Sequence, residues 1–272
     1  MRFWWPRFPG TDCLISEEGF RLQEIFMSEA IEQEWRAVSA RIKAIIQIPD
    51  GKTGGVNPGD RRALYYLTRW LQPNAVLEIG THVGASTLHI AAAIQQQRTA
   101  SLTTVDVVDV NDPNSFWSRA GLSKRPCDAL AELGMHIHFV QSDSVGYLRH
   151  VSDKYDLIFL DGDHSVQRVV AEIPLALKRL RKNGLILLHD YFPGGVQYWR
   201  EERPITGPYA AVHQLQENGL GVTVIAFGKL PWPTKRGTHF TSLAALVRRK
   251  RLGHAFSFER LTMPKGRGSR KL

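Results

Sequence analysis

Acidic and histidine residues follow two apolar segments of the sequence, at the points where these segments end. Asp161 and His164 come after segment 157–160. Asp190 lies two positions after segment 185–188. Carboxylate oxygens are preferred ligands of hard divalent cations, and an imidazole can accept the proton of a hydroxyl group near neutral pH. The pattern predicts a polar site at the ends of these segments, with groups that could hold a cation or accept a proton.

The same residues also have a purely structural interpretation, which the sequence leaves open. Segment 161–163 is typical of a polar turn that caps a following helix. In that case His164 is a solvent-facing residue of the first helical turn. His189 is either a metal ligand or a residue that forms hydrogen bonds within the strand end.

A turn with two glycines follows another apolar segment, 75–79. Gly80 and Gly84 flank three residues, and a helical pattern begins at Ala85. Glycine lets a ligand approach the backbone, and a helix N-terminus offers free N–H groups to a carboxylate or phosphate. The spacing lacks the Gly-x-Gly-x-x-Gly pattern of pyrophosphate sites. The turn therefore disfavours a nicotinamide dinucleotide.

Asp106 ends the next apolar segment, 101–106. A carboxylate at this place can accept hydrogen bonds from both hydroxyl groups of an adenosine ribose. The acid alone does not separate NAD from other adenosine ligands. Together with the glycine spacing, it favours an adenosine ligand other than a dinucleotide.

These residues need a sheet whose strands end at one edge. The predicted elements are strand 75–79, helix 85–97, strand 101–106, helix 127–133, strand 136–140, helix 144–151, strand 155–160, helix 165–181, strand 184–189, helix 208–217, strand 221–227 and strand 239–247. Near-continuous apolar strands that alternate with helices are typical of a parallel sheet covered on both faces. The last two strands have no helix between them, so they should pair antiparallel at the edge. The predicted fold class is α/β, a doubly wound, mostly parallel sheet of seven strands.

A long helical pattern precedes the sheet. Its apolar residues recur every three or four positions over 16–46, after an aromatic and basic arm over 1–15. The apolar face could pack on the same domain, on a second subunit of a homodimer or higher oligomer, or over the active site. We expect an N-terminal arm and helix over 1–59, a catalytic domain over 60–250, and a basic, poorly ordered tail over 251–272.

The net charge of +9 is concentrated at one end of the chain. Segment 248–272 holds nine Lys or Arg residues and one acid, Glu259, so the remainder is near +1. We interpret the tail as a solvated end, and nucleic acid is therefore not the expected partner. No apolar run has the length of a membrane span, no secretory signal is evident, and two cysteines are too few for a disulfide framework. We expect a cytoplasmic protein.

Three segments share their order and spacing with a known family. They are 76–86 (VLEIGTHVGAS), 159–165 (FLDGDHS) and 184–191 (GLILLHDY). Together they resemble the class I S-adenosylmethionine (SAM)-dependent methyltransferases, in particular the O-methyltransferases of catechols and natural products. The resemblance covers roughly residues 55–250. It implies a Rossmann-like methyltransferase fold that binds SAM.

The resemblance also implies which residues bind the cofactor. The glycine turn would line the methionine part, a serine at the helix start would hold the methionine carboxylate, and the acid after the second strand would bind the ribose. Residues after the third strand would meet the adenine, with Ser144 as an alternative to Ser142, and a loop at 54–56 would lie against the cofactor. The implied set is Val56, Glu78, Gly80, Thr81, Gly84, Ser86, Asp106, Ser142 and Asp143.

Metal-dependent members of this family bind magnesium through acids after the fourth and fifth strands. The resemblance places Asp161 and Asp190 in these roles. The third ligand is open, because Tyr191 stands where an Asn or Asp is expected. His189, Asp163 or water could take its place. A metal would orient the acceptor hydroxyl and lower its pKa.

The resemblance also implies a base, and the loop after the fifth strand could form a wall for the acceptor. His164 stands where the catechol enzymes have a lysine base, so the implied catalytic residues are His164 and Asp161. The loop 191–200 is rich in aromatic residues and leaves the fifth strand at the same edge. It forms either a wall of the acceptor site or a structural loop.

The resulting expectation is an enzyme that transfers a methyl group from SAM to a hydroxyl of a small molecule, a sugar or a secondary metabolite. Magnesium assistance is left open. A second interpretation, methylation of nucleic acid or protein, is motivated by the basic tail. It is opposed by the lack of an Asn-Pro-Pro-Tyr-type motif after the fourth strand. A third interpretation is a non-catalytic SAM-binding protein, which the acids at the strand ends disfavour.

Overall fold

A seven-stranded sheet forms the centre of the computed structural model, which describes residues 24–48, 55–199 and 204–248. The strands are β1 Ala75–Ile79, β2 Ser101–Asp106, β3 His138–Gln141, β4 Tyr155–Leu160, β5 Leu180–Leu188, β6 Val222–Ala226 and β7 Ala244–Arg248. The helices are α1 Glu29–Ile45, α2 Pro58–Leu71, α3 Ala85–Ile94, α4 Phe116–Arg119, α5 Pro126–Glu132, α6 Ser144–His150, α7 Val166–Arg179 and α8 Gly207–Glu217. None of the helices described is long and apolar enough to cross a membrane.

The strand order confirms the predicted fold class. The sheet runs β3-β2-β1-β4-β5-β7-β6. Strands β1 to β5 are parallel, whereas β7 is antiparallel to both of its neighbours, β5 and β6. Since parallel strands end at the same edge, the loops after β1 to β5 lie together.

Both faces of the sheet are buried. Alternate residues of a strand point to opposite faces of the sheet. Val76 lies in the core on the face covered by α1, α2, α3 and α5. Leu77 lies in the core on the other face, which is covered by α6, α7 and α8. Helix α3 is buried along its whole length. The apolar strands of the sequence follow from this two-sided covering.

The helical pattern that the sequence predicts from 16–19 onward is interrupted before α1. The predicted start at 16–19 lies outside the described residues, and the chain turns at 26–28 before Ser28 caps α1 by accepting a hydrogen bond from the Ile31 N–H. The Ser28 side chain offers the backbone an alternative to helical bonding, which explains the break.

The apolar face of α1 packs on its own chain. Trp35 lies against the Tyr65 ring at 5.3 Å between centroids, and Arg69 of α2 pairs with Glu34. Arg41 donates to the Leu133 carbonyl at the end of α5, at 2.9 Å. Packing on the same chain, one of the three alternatives that the sequence leaves open for this apolar face, is therefore observed. A role in an oligomer stays a prediction.

Two strand boundaries differ from the sequence-based ones. Strand β5 begins at Leu180, directly after α7 and before the predicted position 184. Strand β7 begins at Ala244, later than 239, because Phe240 instead forms an isolated bridge to Lys229 in the connection from β6. Neither shift moves the strand ends that carry the candidate site.

Candidate active site

The turn between β1 and α3 brings two strand ends into contact. Gly80 has a φ of +96°, and a Cβ atom at this position would lie 2.3 Å from the Asp161 carbonyl oxygen. Only glycine permits this conformation and this approach. The N–H of Gly80 also donates to the Val105 carbonyl at 2.9 Å. The turn is therefore fixed between the ends of β2 and β4.

Glu78 lies in β1, two positions before Gly80, and is fully buried. Its Oε2 accepts hydrogen bonds from Thr87 Oγ1 at 2.6 Å and Thr104 Oγ1 at 2.7 Å. Burial raises the pKa of Glu78 to about 7, against the lowering effect of the hydroxyl groups of Ser86, Thr104 and Thr87. Oε1 is buried with no partner at hydrogen-bond distance. A polar group of a ligand at the turn would satisfy it.

Asp106 is held against the same turn. Its Oδ2 accepts from the N–H groups of Thr81 at 3.1 Å and His82 at 2.9 Å, and its Oδ1 accepts from that of Val108 at 3.2 Å. A carboxylate has about four acceptor positions, so these bonds leave capacity for hydroxyl donors. The predicted ribose role of Asp106 is compatible with this arrangement.

The residues after β3 are anchored by helix α6. Asp143 caps α6 by accepting from the Gly146 N–H at 2.8 Å, and it pairs with Arg168 of α7. The N–H of Ser142 donates to the Asp106 carbonyl at 2.8 Å, which links the ends of β2 and β3. Ser144 is buried and donates to Glu172, so Ser142 is the better candidate for a ligand contact.

The remaining cofactor candidates lie at helix starts. Ser86 is buried in the first turn of α3, whose N-cap is Gly84 with a φ of +77°. Val56 is buried in the core directly before Asn57, the N-cap of α2. Of the predicted loop 54–56, residue 54 lies outside the described residues.

The acids after β4 and β5 converge with His164. Ligand atoms of Asp161, His164 and Asp190 all lie within 4.8 Å of one another, and the three side chains are partly buried. Nε2 of His164 is 3.5 Å from Oδ2 of Asp190. Asp190 has a φ of +52°, a conformation unusual for a residue other than glycine and often associated with functional sites. The structure thus brings together the three residues predicted to act on a hydroxyl group.

The start of helix α8 packs against the backbone of His164. The helix begins at Gly207, where a Cβ atom would lie 1.8 Å from the His164 carbonyl oxygen. The glycine lets the start of α8 contact the backbone of the loop after β4. The position of His164 therefore depends on packing between α8 and this loop.

His189 lies beneath the group rather than within it. Its Nδ1 is 2.7 Å from Asp161 Oδ1 and its Nε2 is 3.1 Å from Asp60 Oδ2. Burial lowers the pKa of His189, but the carboxylates of Asp161 and Asp190 and the hydrogen bonds to Asp161 and Asp60 raise it well above its ordinary value. With both ring nitrogens engaged, His189 is poorly placed for the metal-ligand role predicted for it, and His164 lies beside the two acids instead.

Comparison with known proteins agrees with this arrangement. Residues 77–191 match a family model described as a methyltransferase domain. This part of the chain, which holds the glycine turn and the acids after β4 and β5, is therefore similar to SAM-dependent methyltransferase domains. A protein of Mycobacterium sp. (strain JLS) named "Putative O-methyltransferase" is 28% identical over 170 residues, which are 61% of this chain and 69% of that protein.

Solved structures share the fold of this chain. The methyltransferase PaMTH1 of Podospora anserina, bound to S-adenosylhomocysteine (SAH), superposes with a TM-score of 0.56 and 16% identity, covering 91% of this chain and 100% of that one. The O-methyltransferase TomG of Streptomyces achromogenes, bound to SAM, superposes with a TM-score of 0.53 and 17% identity, covering 85% and 99%. At these identities the likeness shows the fold.

Asp60 is a residue of the candidate site that sequence reasoning missed. It lies in the first turn of α2, where an acid after the N-cap Asn57 is typical of helix capping. The signal that could have revealed it is an acid in the first turn of a helix that continues with the apolar run 63–67. Ser242, which donates to Asp190 Oδ1 at 3.2 Å, was also missed, because it precedes β7 rather than following a parallel strand.

The aromatic loop after β5 is largely structural. Tyr191, Phe192 and Trp199 are buried, and Phe192 and Trp199 pack edge to face at 5.4 Å. Val196 is 70% exposed and Phe240 is 41% exposed. The acceptor wall predicted for 191–200 is therefore limited to side chains outside this aromatic core, and Arg200 lies outside the described residues.

Proposed function

We propose that the chain methylates a hydroxyl group of a small molecule with SAM as the donor. The observation that carries the proposal is the convergence of Asp161, His164 and Asp190 beside the glycine turn. The mycobacterial relative and the SAM-bound TomG, both named as O-methyltransferases, support the type of acceptor.

The residues at the turn fit SAM. Glu78 offers a buried oxygen without a partner, and Gly80, with its φ of +96°, sets the tight turn that leads to the start of α3. In this proposal Glu78, Gly80, Thr81, Gly84 and Ser86 hold the methionine part, Asp106 holds the ribose, Ser142 and Asp143 contact the adenine, and Val56 lies against the cofactor. SAM supplies an electrophilic methyl group on a sulfonium.

His164 is the proposed base. An imidazole within hydrogen-bond reach of the acceptor hydroxyl can take its proton as the oxygen attacks, and the transfer needs the oxygen and methyl group held in line. The Asp190 carboxylate, 3.5 Å from Nε2, would stabilise the protonated imidazole. Asp161 would orient the hydroxyl from the other side.

Two acids beside the base also fit a divalent cation. Asp161 and Asp190 would hold Mg²⁺, which commonly keeps several waters, so a third protein ligand is not required. A bound cation would lower the pKa of the acceptor hydroxyl. Asp163 is less suited as a ligand, since it is exposed and accepts from the Ser165 N–H at 2.7 Å.

The function is tested by incubating the full chain with SAM and a panel of acceptors, and measuring SAH by mass spectrometry. The panel contains catechol, a phenolic acid, methyl rhamnoside, total RNA and a protein extract. We expect SAH with a small hydroxyl compound, and the methyl group on oxygen. Transfer only to RNA or protein would contradict the proposal, as would bound SAH without turnover across the small acceptors.

The metal is tested in the same assay. We expect activity to fall in excess chelator and to return with Mg²⁺, and Asp190→Ala to lose the response to Mg²⁺. Full activity in excess chelator together with full activity of Asp190→Ala would remove the cation from the proposal.

A further inference from the structure

A chain of buried polar contacts connects helix α2 to the acids of the candidate site. It begins at Asp60, which is fully buried. Oδ2 of Asp60 accepts a hydrogen bond from Asn57 Nδ2 at 2.7 Å and lies 3.1 Å from His189 Nε2. Buried carboxylates are costly without partners, so a fully buried acid at this place implies a specific role for its contacts.

The imidazole of His189 transmits the position of Asp60 to Asp161. Its other nitrogen, Nδ1, is 2.7 Å from Asp161 Oδ1. The ring is rigid and packs edge to face on Phe159 at 6.2 Å. Because the two nitrogens have a fixed geometry, holding Nε2 at Asp60 sets the direction of Nδ1 and therefore the plane of the Asp161 carboxylate.

A second branch reaches Asp190 through Ser242. The Ser242 hydroxyl lies 3.2 Å from Asp190 Oδ1 and 3.5 Å from Asp60 Oδ2. Oδ1 of Asp161 and Oδ1 of Asp190 are thus connected to the same hydrogen-bond network around Asp60. The other oxygen of Asp190, Oδ2, is the one that lies 3.5 Å from His164.

We infer that Asp60 is a positioning residue, which orients the Asp161 carboxylate through His189 for methyl transfer. The inference rests on the proposed function. Asp60 lies behind His189, so it acts on the acceptor side of the site only through other residues. A merely structural role, anchoring α2 to the sheet, would affect stability without changing the orientation of Asp161.

The expected kinetic effect is a loss in kcat with little change in cofactor binding. Removing a partner that orients a reacting group typically lowers activity by roughly 10–100-fold. We expect this loss for Asp60→Ala, whereas the KM for SAM and the Kd for SAH stay within about twofold because the contacts at the glycine turn are unchanged. Asp60→Asn keeps an oxygen for His189 Nε2 and should recover most of kcat.

Asp156→Asn is the matched control. Asp156 is a structural acid at the opposite end of the sheet, where its Oδ2 accepts from the N–H groups of Asn74 and Ala75. This variant should lower the melting temperature and leave kcat unchanged. If Asp60→Ala does not fold, Asp60→Ser replaces it, because its shorter side chain also loses His189 but keeps a polar group beside Asn57, the N-cap of α2.

The experiment combines these kinetics with crystal structures of the wild-type protein, Asp60→Asn and Asp60→Ala. A rotated Asp161 carboxylate in Asp60→Ala, with kcat reduced and restored in Asp60→Asn, is the expected result. An Asp161 oriented as in the wild type, or a kcat loss no larger than that of Asp156→Asn, would overturn the inference. If the wild type transfers no methyl group to any acceptor, the proposed function fails, and the crystal structures still decide the positioning role.

Discussion

Glu172 is a buried acid of α7, next to the predicted adenine end of the site. Its carboxylate accepts a hydrogen bond from Ser144 of α6. Burial raises the pKa of Glu172 from 4.5 to about 7, although Ser144 and Arg168 lower it. Between pH 4.5 and about pH 7, Glu172 keeps its proton in the folded protein and releases it in the unfolded chain. The contribution of this group to stability is therefore complete below pH 4.5 and is lost as the pH rises towards 7.

Replacing Glu172 with glutamine tests this linkage. Glu172→Gln imitates the protonated acid at every pH, so at pH 8 it should raise the free energy of unfolding by about 3 kcal/mol relative to the wild type, and at pH 4.5 by little. Urea denaturation at both pH values measures the difference. Glu217→Gln, at an exposed position of α8, should stay within about 0.5 kcal/mol. An equal effect of Glu172→Gln at both pH values would rule out this titration.

The residues at the strand ends could be predicted from the sequence, whereas contacts between distant segments could not. Asp161, His164 and Asp190 could be predicted to meet, since each follows a strand of a parallel sheet and such strands end at one edge. Asp60 could not, because its partner His189 is 129 positions away and no local pattern connects a helix start to a strand end. The metal role of His189 was inferred from its place beside Asp190, which does not reveal that both ring nitrogens are already engaged.

At the scale of elements, the turn after β1 depends on two separate properties of Gly80. Its φ of +96° favours glycine, and the Asp161 carbonyl leaves no space for a side chain. Gly121 offers a comparison, since it has a φ of +71° but nothing within 4 Å of a Cβ atom.

Alanine at each glycine separates these properties. Gly121→Ala should cost about 1–2 kcal/mol of stability from the left-handed conformation alone. Gly80→Ala should cost more, about 3 kcal/mol or above, and should abolish SAH binding because the ends of β1 and β4 must move apart. Thermal denaturation and calorimetry with SAH provide both readouts. Equal destabilisation by the two substitutions, with SAH binding intact in Gly80→Ala, would contradict this description of the turn.

The helices and strands themselves were largely predictable. Apolar runs locate the strands because both faces of the sheet are covered, and the missing helix between β6 and β7 identifies the antiparallel pair. The break before α1 could not be predicted, because the apolar period continues through 26–28 while Ser28 interrupts the helix. The insertion of β7 between β5 and β6 rests on long-range pairing, which a local pattern does not contain.

At the scale of the whole molecule, charge and candidate chemistry are separated along the chain. The residues assigned to the proposed site lie between Val56 and Asp190, and the supporting residue Ser242 lies just before β7. The excess of positive charge lies from Arg248 onwards. The basic segment after Arg248 lies outside the described residues, so its predicted disorder and any partner stay predictions.

Truncation after Arg248 tests whether that segment takes part in catalysis. Arg248 is kept because its guanidinium donates to the Leu177 carbonyl and holds the end of α7. We expect kcat/KM on a small acceptor to stay within about twofold of the full chain, as for a surface change remote from the site. A large loss on small acceptors would show that the basic segment contributes to the reaction.

In the proposed reaction, His164 removes the proton of the acceptor hydroxyl while the glycine turn holds SAM. The most direct measurement compares the rate of SAH formation and the Kd of SAH in the wild type, His164→Ala and His150→Ala, the last a control at an exposed histidine of α6. Loss of a general base should slow SAH formation by roughly 10²–10⁴-fold in His164→Ala, with an unchanged Kd, and His150→Ala should match the wild type. Wild-type turnover by His164→Ala would contradict the account.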